Sequence, residues 1–72
     1  MLAYIVMEAD YDGAWILGVF PDMWSAIERA GTKQLSSEDA YVFIEVWPVS
    51  GDDRISRYDY DDKSQAWKER EG

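Results

Sequence analysis

The sequence contains neither cysteine nor histidine. Without cysteine, the chain can form no disulfide bond and no thiolate metal site. Without histidine, it lacks the commonest general base and the commonest side-chain ligand of transition metals. These two absences argue against a metal centre and against most acid–base chemistry, so we expect no cofactor and no catalytic site.

Basic residues are also few. Seven lysines and arginines stand against fifteen acidic residues, and the net charge is −8. The excess lies in residues 1–53, which hold ten acidic and two basic residues, whereas residues 54–72 hold five of each. A negative body repels nucleic acid and anionic lipid and attracts basic protein surfaces. Ordinary solubility is the alternative explanation of this charge.

No apolar run is long enough to cross a bilayer. The apolar stretch 1–7 has no basic region before it and no cleavage site after it, so we expect neither a signal peptide nor an anchor. A cytoplasmic protein is the default expectation. With 72 residues the chain makes one domain of thin stability margin, which its 15% aromatic content offsets.

Residues 40–49 form the longest run of β-branched and aromatic residues, and this composition favours a strand. Val42, Ile44 and Val46 alternate on one side as an aliphatic row. On the other side lie Tyr41, Phe43, Glu45 and Trp47. An aliphatic row is typical of a core. An aromatic row broken by one acid is typical of a surface that meets another molecule.

Two further strands are predicted before this one, at residues 2–9 and 15–20. The stretch Asp10-Tyr11-Asp12-Gly13 between them contains Asp-Gly, which is a strong hairpin signal. Part of a calcium-binding loop is the competing interpretation of Asp10, Asp12 and Gly13. It fails on spacing, because the glycine comes too early and no glutamate occupies the twelfth position.

Residues 23–30 predict a helix. Met23, Ala26, Ile27 and Ala30 recur at helical spacing and give one apolar stripe that faces a sheet. Asp22 precedes them as the expected N-cap, and Gly31 follows as the expected C-terminal stop.

The C-terminal part predicts a short fourth strand at residues 55–60, whose charged side chains suit a sheet edge. Asp62 and Gln65 have capping-box spacing, which allows a frayed terminal helix over residues 63–71 with Trp67 as its docking residue. We therefore expect a single α+β domain at 1–62, followed by a C-terminal tail at 63–72.

The expected topology is ββαββ, with one antiparallel sheet of order 2-1-3-4 and the helix on one face. The far face should carry the aromatic row, with neighbours from Tyr4 or Val6 and from the fourth strand. Only the Trp67 tail or another molecule could cover it. The candidate partner-binding residues are Tyr41, Phe43, Glu45, Trp47, Tyr58 and Tyr60.

Paired carboxylates are the only candidates for acid–base or metal chemistry, and they are Glu38-Asp39, Asp52-Asp53 and Asp61-Asp62. All three pairs fall in predicted turns, where aspartate is expected for capping and solvation. The aromatic row could stack on single-stranded nucleic acid, but that mode needs a basic groove. We therefore expect no enzyme activity and no nucleic-acid, membrane or small-molecule substrate partner.

Several segments carry a resemblance to a known group, namely Tyr4-Ile5-Val6, Tyr11-Asp12-Gly13, Ile16-Leu17-Gly18-Val19-Phe20 and Tyr41-Val42-Phe43-Ile44-Glu45, with Ala26 in the helix. Across residues 4–47 the chain resembles small uncharacterised ββαβ proteins of bacteriophage and bacterial genomes, which have a Tyr-Asp-Gly hairpin and a Gly-Val-Phe helix entry. The resemblance implies a phage accessory protein without a catalytic residue, acting in the host cytoplasm.

Two functional hypotheses remain. In the favoured one, the chain is an interaction protein that binds a basic host protein through the aromatic face and its acidic rim. An inhibitor of a bacterial defence or nucleic-acid enzyme is the natural instance, with carboxylates standing in for phosphates. In the alternative, the chain is a structural protein whose aromatic face is a homo-oligomer interface. Light scattering distinguishes the two.

The absence of cysteine and histidine generates a first prediction. Melting temperature should be the same, within a few degrees, in calcium, zinc, chelator or reductant, because the chain offers no thiolate, imidazole or complete calcium loop. Thermal denaturation followed by circular dichroism measures this. A rise of more than a few degrees with either metal, reversed by chelator, would contradict it.

Overall fold

The computed structural model describes residues 1–32, 39–51, 53–61 and 63–70. Its elements are β1 (Leu2–Asp10), β2 (Gly13–Phe20), α1 (Met23–Thr32), β3 (Tyr41–Pro48), β4 (Ser56–Asp61) and β5 (Ala66–Arg70). The strands form one antiparallel sheet in the order β2-β1-β3-β4-β5. The predicted α+β class and the order of the first four strands are confirmed, but the sheet has five strands rather than four.

The predicted hairpin is confirmed. β1 and β2 close at the pair Asp10 and Gly13, with Tyr11 and Asp12 in the turn between them. The Asp10 carboxylate accepts a hydrogen bond of 2.8 Å from the amide of Asp12, which holds the turn. Gly13 has a φ of 143°, a conformation that other residues rarely adopt, so glycine is needed there.

A β-bulge interrupts β2 at Leu17. Val6 pairs with Gly18 and Met7 pairs with Ile16, so Leu17 is the extra residue and packs against the core. A glycine within a strand often marks a bulge or the close approach of another element, and Gly18 directly follows this bulge. The close neighbour of Gly18 is the ring of Phe20 rather than a helix, because an added Cβ would lie 2.8 Å from Cε2 of that ring.

The helix begins as predicted and ends later. Asp22 caps it, because its carboxylate accepts from the amide of Ser25 at 2.8 Å and from its hydroxyl at 3.2 Å. The predicted stop at Gly31 is wrong, since α1 continues to Thr32. Gly31 keeps a helical conformation and does not adopt the positive φ that ends a helix at glycine.

The predicted terminal helix is also wrong, because Ala66–Arg70 forms β5 and pairs with β4. Asp61 organises the turn that precedes it, accepting from the amide of Lys63 at 3.2 Å and from the hydroxyl of Ser64 at 2.9 Å. Gln65 has a φ of 54°, which breaks any helix there. Asp62, on which the capping box depended, lies outside the described residues. A short isolated helix is marginal, whereas a fifth strand gains backbone pairing along β4.

The core lies between α1 and the three strands β2, β1 and β3. Its buried centre consists of Val6 and Ile44 from the sheet with Ala26 and Ala30 from the helix. The small alanines let the helix approach the sheet closely. The partly buried residues that surround this centre are Tyr4, Leu17, Phe20, Met23, Ile27, Val42, Tyr58 and Trp67. The predicted aliphatic row of β3 and the predicted apolar stripe of the helix therefore face each other.

Ile44 generates a second prediction, because it is fully buried at the centre of this core. Ile44→Ala should lower the free energy of unfolding by roughly 2–5 kcal/mol through lost burial and the cavity left behind. Val49→Ala is the control, since Val49 is 61% exposed and should change stability by only about 0.5 kcal/mol. Urea denaturation measures both. Similar midpoints for the two variants would show that the faces of β3 are reversed.

Candidate interaction surface

The face of the sheet opposite α1 is called the open face here, since the helix lies wholly on the other side. Residues that pair across antiparallel strands share a face, so the register defines its composition. From β2 to β5, one cross-strand row reads Ile16, Met7, Phe43, Asp59 and Lys68. A second row reads Val19, Ile5, Glu45, Arg57 and Arg70. Each row begins apolar at β2 and ends charged at β5.

Four of the six predicted site residues lie on the open face, namely Tyr41, Phe43, Glu45 and Trp47. Tyr58 and Tyr60 do not, and this part of the predicted surface is corrected. Tyr58 pairs with Ile44 and packs against the core on the helix side. Tyr60 shares that side and contacts Trp67, with ring centroids 5.5 Å apart in an edge-to-face arrangement.

The register of β3 with β4 explains the correction. Because Ile44 is opposite Tyr58, the positions of β4 that face away from the helix are Arg57 and Asp59. The same alternation in β1 places Tyr4 and Val6 on the helix side, beside Val46 and Ile44. The open face is therefore less aromatic and more charged than the sequence predicted.

Phe43 is covered although it lies on the open face. Its side chain is only 5% exposed. The guanidinium carbon of Arg57 lies 3.9 Å from the ring centroid, a cation–π geometry. The centroid of the Tyr41 ring lies 5.8 Å from the centroid of the Phe43 ring. Phe43 thus belongs to the support of this surface, and a partner would meet Arg57 and Tyr41 before it met Phe43.

Glu45, the acidic residue in the aromatic row, already forms contacts with two neighbouring side chains. The indole Nε1 of Trp47 donates to Oε1 of Glu45 at 3.1 Å. Nη1 of Arg54 donates to the other oxygen, Oε2, at 3.1 Å. Glu45 therefore holds Trp47 and Arg54 in place, and its charge is compensated by a neighbouring cation.

Ion pairs continue toward β5. Asp59 accepts from Nε of Arg57 at 2.9 Å and from Nη1 of Arg70 at 3.1 Å. Asp61 pairs with Nζ of Lys68 at 3.0 Å. Exposed pairs of this kind each stabilise a fold by only about 0–1 kcal/mol. Their main effect here is to give Asp59 and Asp61 cationic partners, as Arg54 does for Glu45.

We call these residues the ion-paired band, and its members are Glu45, Arg54, Arg57, Asp59, Asp61, Lys68 and Arg70. The band holds four of the seven basic residues of the chain and three of its fifteen acids. It is therefore close to neutral, in a protein of net charge −8. The negative excess lies elsewhere.

The opposite half of the open face is an apolar patch, which we define as Ile5, Met7, Ile16, Val19 and Tyr41. Ile16 and Val19 are each 59% exposed and Tyr41 is 51% exposed. Ile5 and Met7 lie half-buried between them on β1. The sequence does not reveal this patch, because strict alternation along β2 would put Ile16 and Val19 on opposite faces. The bulge at Leu17 brings them to the same face.

Acidic residues flank the apolar patch at both ends of β2. Asp10 and Asp12 lie at the β1–β2 turn, and Asp39 precedes β3 at the same end of the sheet. Asp22 caps the helix just beyond the other end of β2. Within the described residues, none of these four carboxylates forms an ion pair. They carry much of the uncompensated negative charge of the body.

For each carboxylate pair singled out in the sequence, the structure describes only one member. One member of each pair, namely Glu38, Asp52 or Asp62, lies outside the described residues. Across the described ranges, no three carboxylates converge in a way that could hold a metal ion.

A hollow of about 580 Å³ lies beside Trp47 at the ends of β4 and β5, between Arg54 and Arg70. Both guanidinium groups already pair with carboxylates, Arg54 with Glu45 and Arg70 with Asp59. The hollow is therefore not a preformed anion site.

Comparisons with protein-family models, with curated proteins and with solved structures find no match to this chain. The resemblance to small phage proteins thus stays a prediction. In the part of the chain that the structure describes, no helix has the length and apolar character needed to cross a membrane.

The ion pair of Asp61 generates a third prediction. The hydrogen bond from Lys68, together with those from Ser64 and from the Lys63 amide, holds the pKa of Asp61 below its ordinary value. A depressed pKa stabilises the fold above the unfolded-state pKa, and this contribution is lost as pH falls through the folded-state pKa. Lys68→Met should raise the pKa of Asp61, as measured by carboxyl carbon NMR across the acid range.

Arg70→Met is the matched control for this titration. This substitution also removes one positive charge from β5, but Arg70 pairs with Asp59 rather than with Asp61. It should leave the pKa of Asp61 nearly unchanged. Equal rises in both variants would mean that general charge, rather than the contact with Lys68, lowers this pKa.

Proposed function

We propose that this chain is a small phage-type accessory protein that binds a host protein through its open face. The exposed apolar patch is the observation that carries the proposal. Ile16, Val19 and Tyr41 are all more than half exposed on a face that the only described helix does not cover. Contiguous apolar surface of this kind on a small domain is typical of an interaction site.

Charge favours a basic partner. The ion-paired band is nearly neutral, whereas Asp12, Asp22 and Asp39 flank the apolar patch without ion pairs among the described residues. Such a negative margin steers a positive protein surface toward the patch and fixes its orientation. Inhibition of a bacterial defence or nucleic-acid enzyme in the host cytoplasm fits this chemistry, because carboxylates would occupy a cleft built for phosphates.

The structure alters which residues we assign to binding. Tyr41 is the exposed aromatic residue of the face, and Trp47 stands beside the ion-paired band with its indole bonded to Glu45. Phe43 lies beside Tyr41 on β3, with ring centroids 5.8 Å apart. Tyr58 and Tyr60 take part in the helix-side packing instead, so they leave the proposed contact set.

Tyr41→Ser provides a fourth prediction. Immobilised wild-type protein should retain a specific protein from a host lysate, and with that protein purified the variant should bind at least about tenfold more weakly. Binding of the wild type should also weaken as salt rises. Titration calorimetry measures both effects.

Trp24→Ser is the matched control, since Trp24 is a 76% exposed aromatic residue on the helix side. The affinity of the Trp24→Ser variant for the purified host protein should stay within about twofold of the wild-type value. Equal loss in both variants, or no effect of Tyr41→Ser, would contradict binding through the open face. A wild-type dimer in light scattering that Tyr41→Ser converts to monomer would instead support the homo-oligomer alternative.

A further inference from the structure

The two edges of the sheet differ in their protection. β5 is one edge, and its five residues include Lys68, Glu69 and Arg70. Charged side chains of this kind discourage a further strand from pairing. β2 is the other edge, and its eight residues, GAWILGVF, include no charge and no proline. A long uncharged edge strand is a ready template for pairing with another chain.

The bulge in β2 partly protects this edge from pairing with another strand. The bulge also has a role in the core. It directs Leu17 toward the helix side, where Leu17 packs against the buried centre. The residues on either side remain paired with β1, from Gly13 to Ile16 and from Gly18 to Phe20. Each stretch therefore keeps strand geometry at the outer edge of the sheet.

The charges at the two ends of β2 decide whether a second copy of this chain or a strand of another protein is the better partner for this edge. Asp12 adjoins its first residue and Asp22 lies two residues beyond its last. If a second copy paired antiparallel about a two-fold axis, Asp12 of each copy would approach Asp22 of the other. Two bodies of net charge −8 would meet acid to acid at both ends of the interface. A strand with basic residues at both ends would meet an attractive charge at each.

We infer that the β2 edge receives an extended strand of the partner protein, which carries alternating apolar side chains and a lysine or arginine at each end. This inference rests on the proposed partner-binding function and specifies how the partner binds, namely by adding a strand to the sheet. The added strand continues the sheet, and its outward apolar side chains lie beside Ile16 and Val19 and cover the exposed edge of the apolar patch. Backbone hydrogen bonds supply binding, while the apolar side chains and basic ends supply selectivity.

A displayed library of random peptides of about twelve residues, long enough for one strand and two flanks, tests this inference. Selection on the immobilised full chain should enrich alternating apolar sequences with basic ends. The best peptide, labelled and followed by fluorescence anisotropy, should lose about tenfold or more in affinity for Ile16→Lys. Val49→Lys adds the same charge at an exposed site outside the sheet and should change affinity by less than about twofold.

Backbone N-methylation of the peptide separates strand pairing from packing on the face. Only alternate peptide amides point toward β2, so methyl groups in one phase should weaken binding at least about tenfold and those in the other phase should have little effect. This comparison needs no protein variant and is independent of any change in protein folding.

Three outcomes overturn the inference. Equal effects of the two N-methyl phases mean that the peptide lies on the face, which leaves the proposed function standing if Tyr41→Ser also abolishes binding. Selection without alternating, basic-ended peptides means that the edge takes no such strand. A wild-type dimer in sedimentation that Ile16→Lys dissociates means that a second copy is the occupant.

Discussion

One short helix can cover only one side of a sheet, and the rest of this structure follows from that constraint. α1 spans ten residues and packs over β2, β1 and β3, where Val6 and Ile44 meet Ala26 and Ala30. Nothing among the described helices and strands lies over the other face. Each side chain on that face is therefore exposed to solvent, forms polar contacts within the face or becomes buried only when another molecule binds.

The two halves of the open face meet this constraint differently. Toward β5, long side chains fold over the sheet and pair with each other, and Arg57 lies both against the ring of Phe43 and beside Asp59. The stems of such residues cover apolar surface while their charged ends stay in water. Among the described residues, no such ion pair lies over the β2 side, and Ile16 and Val19 are exposed. The exposed patch is therefore a local feature of β1, β2 and Tyr41. The half of the face toward β5 is covered by its own ion-paired side chains.

The sequence predicts the fold better than the site, for identifiable reasons. The hairpin, the Asp22 cap and the aliphatic row of β3 depend on local chemistry or on simple alternation, and all are present. The sequence does not predict the fifth strand, because the spacing of Asp62 and Gln65 is that of a capping box at a helix start, whereas pairing with β4 is a tertiary interaction. Periodicity within one segment cannot report such pairing.

The errors in the site have a related origin. The sequence places Tyr58 on the wrong face, because a strand's alternation fixes only which residues share a face and not which face that is. The register with β3 decides this, and it is set by Ile44 and Tyr58 packing into one core. Likewise, the bulge at Leu17 reverses the phase of β2 halfway along its length, which sequence periodicity does not show. One inserted residue thus places Ile16 and Val19 together.

Charge and apolar surface are separated in this molecule, and the separation assigns them different roles in association. Among the described residues, Asp10, Asp12, Asp22 and Asp39 form no ion pair and stand at the ends of β2 and before β3, while the apolar patch between them carries no charge. Exposed charges act over roughly 10 Å in ordinary salt, so they govern the rate and orientation of encounter. Apolar contact acts only after water is expelled, so it governs how long a complex lasts. Because the ion-paired band is already compensated, it adds little to either, and the proposed partner would be recognised mainly on the β2 side of the sheet.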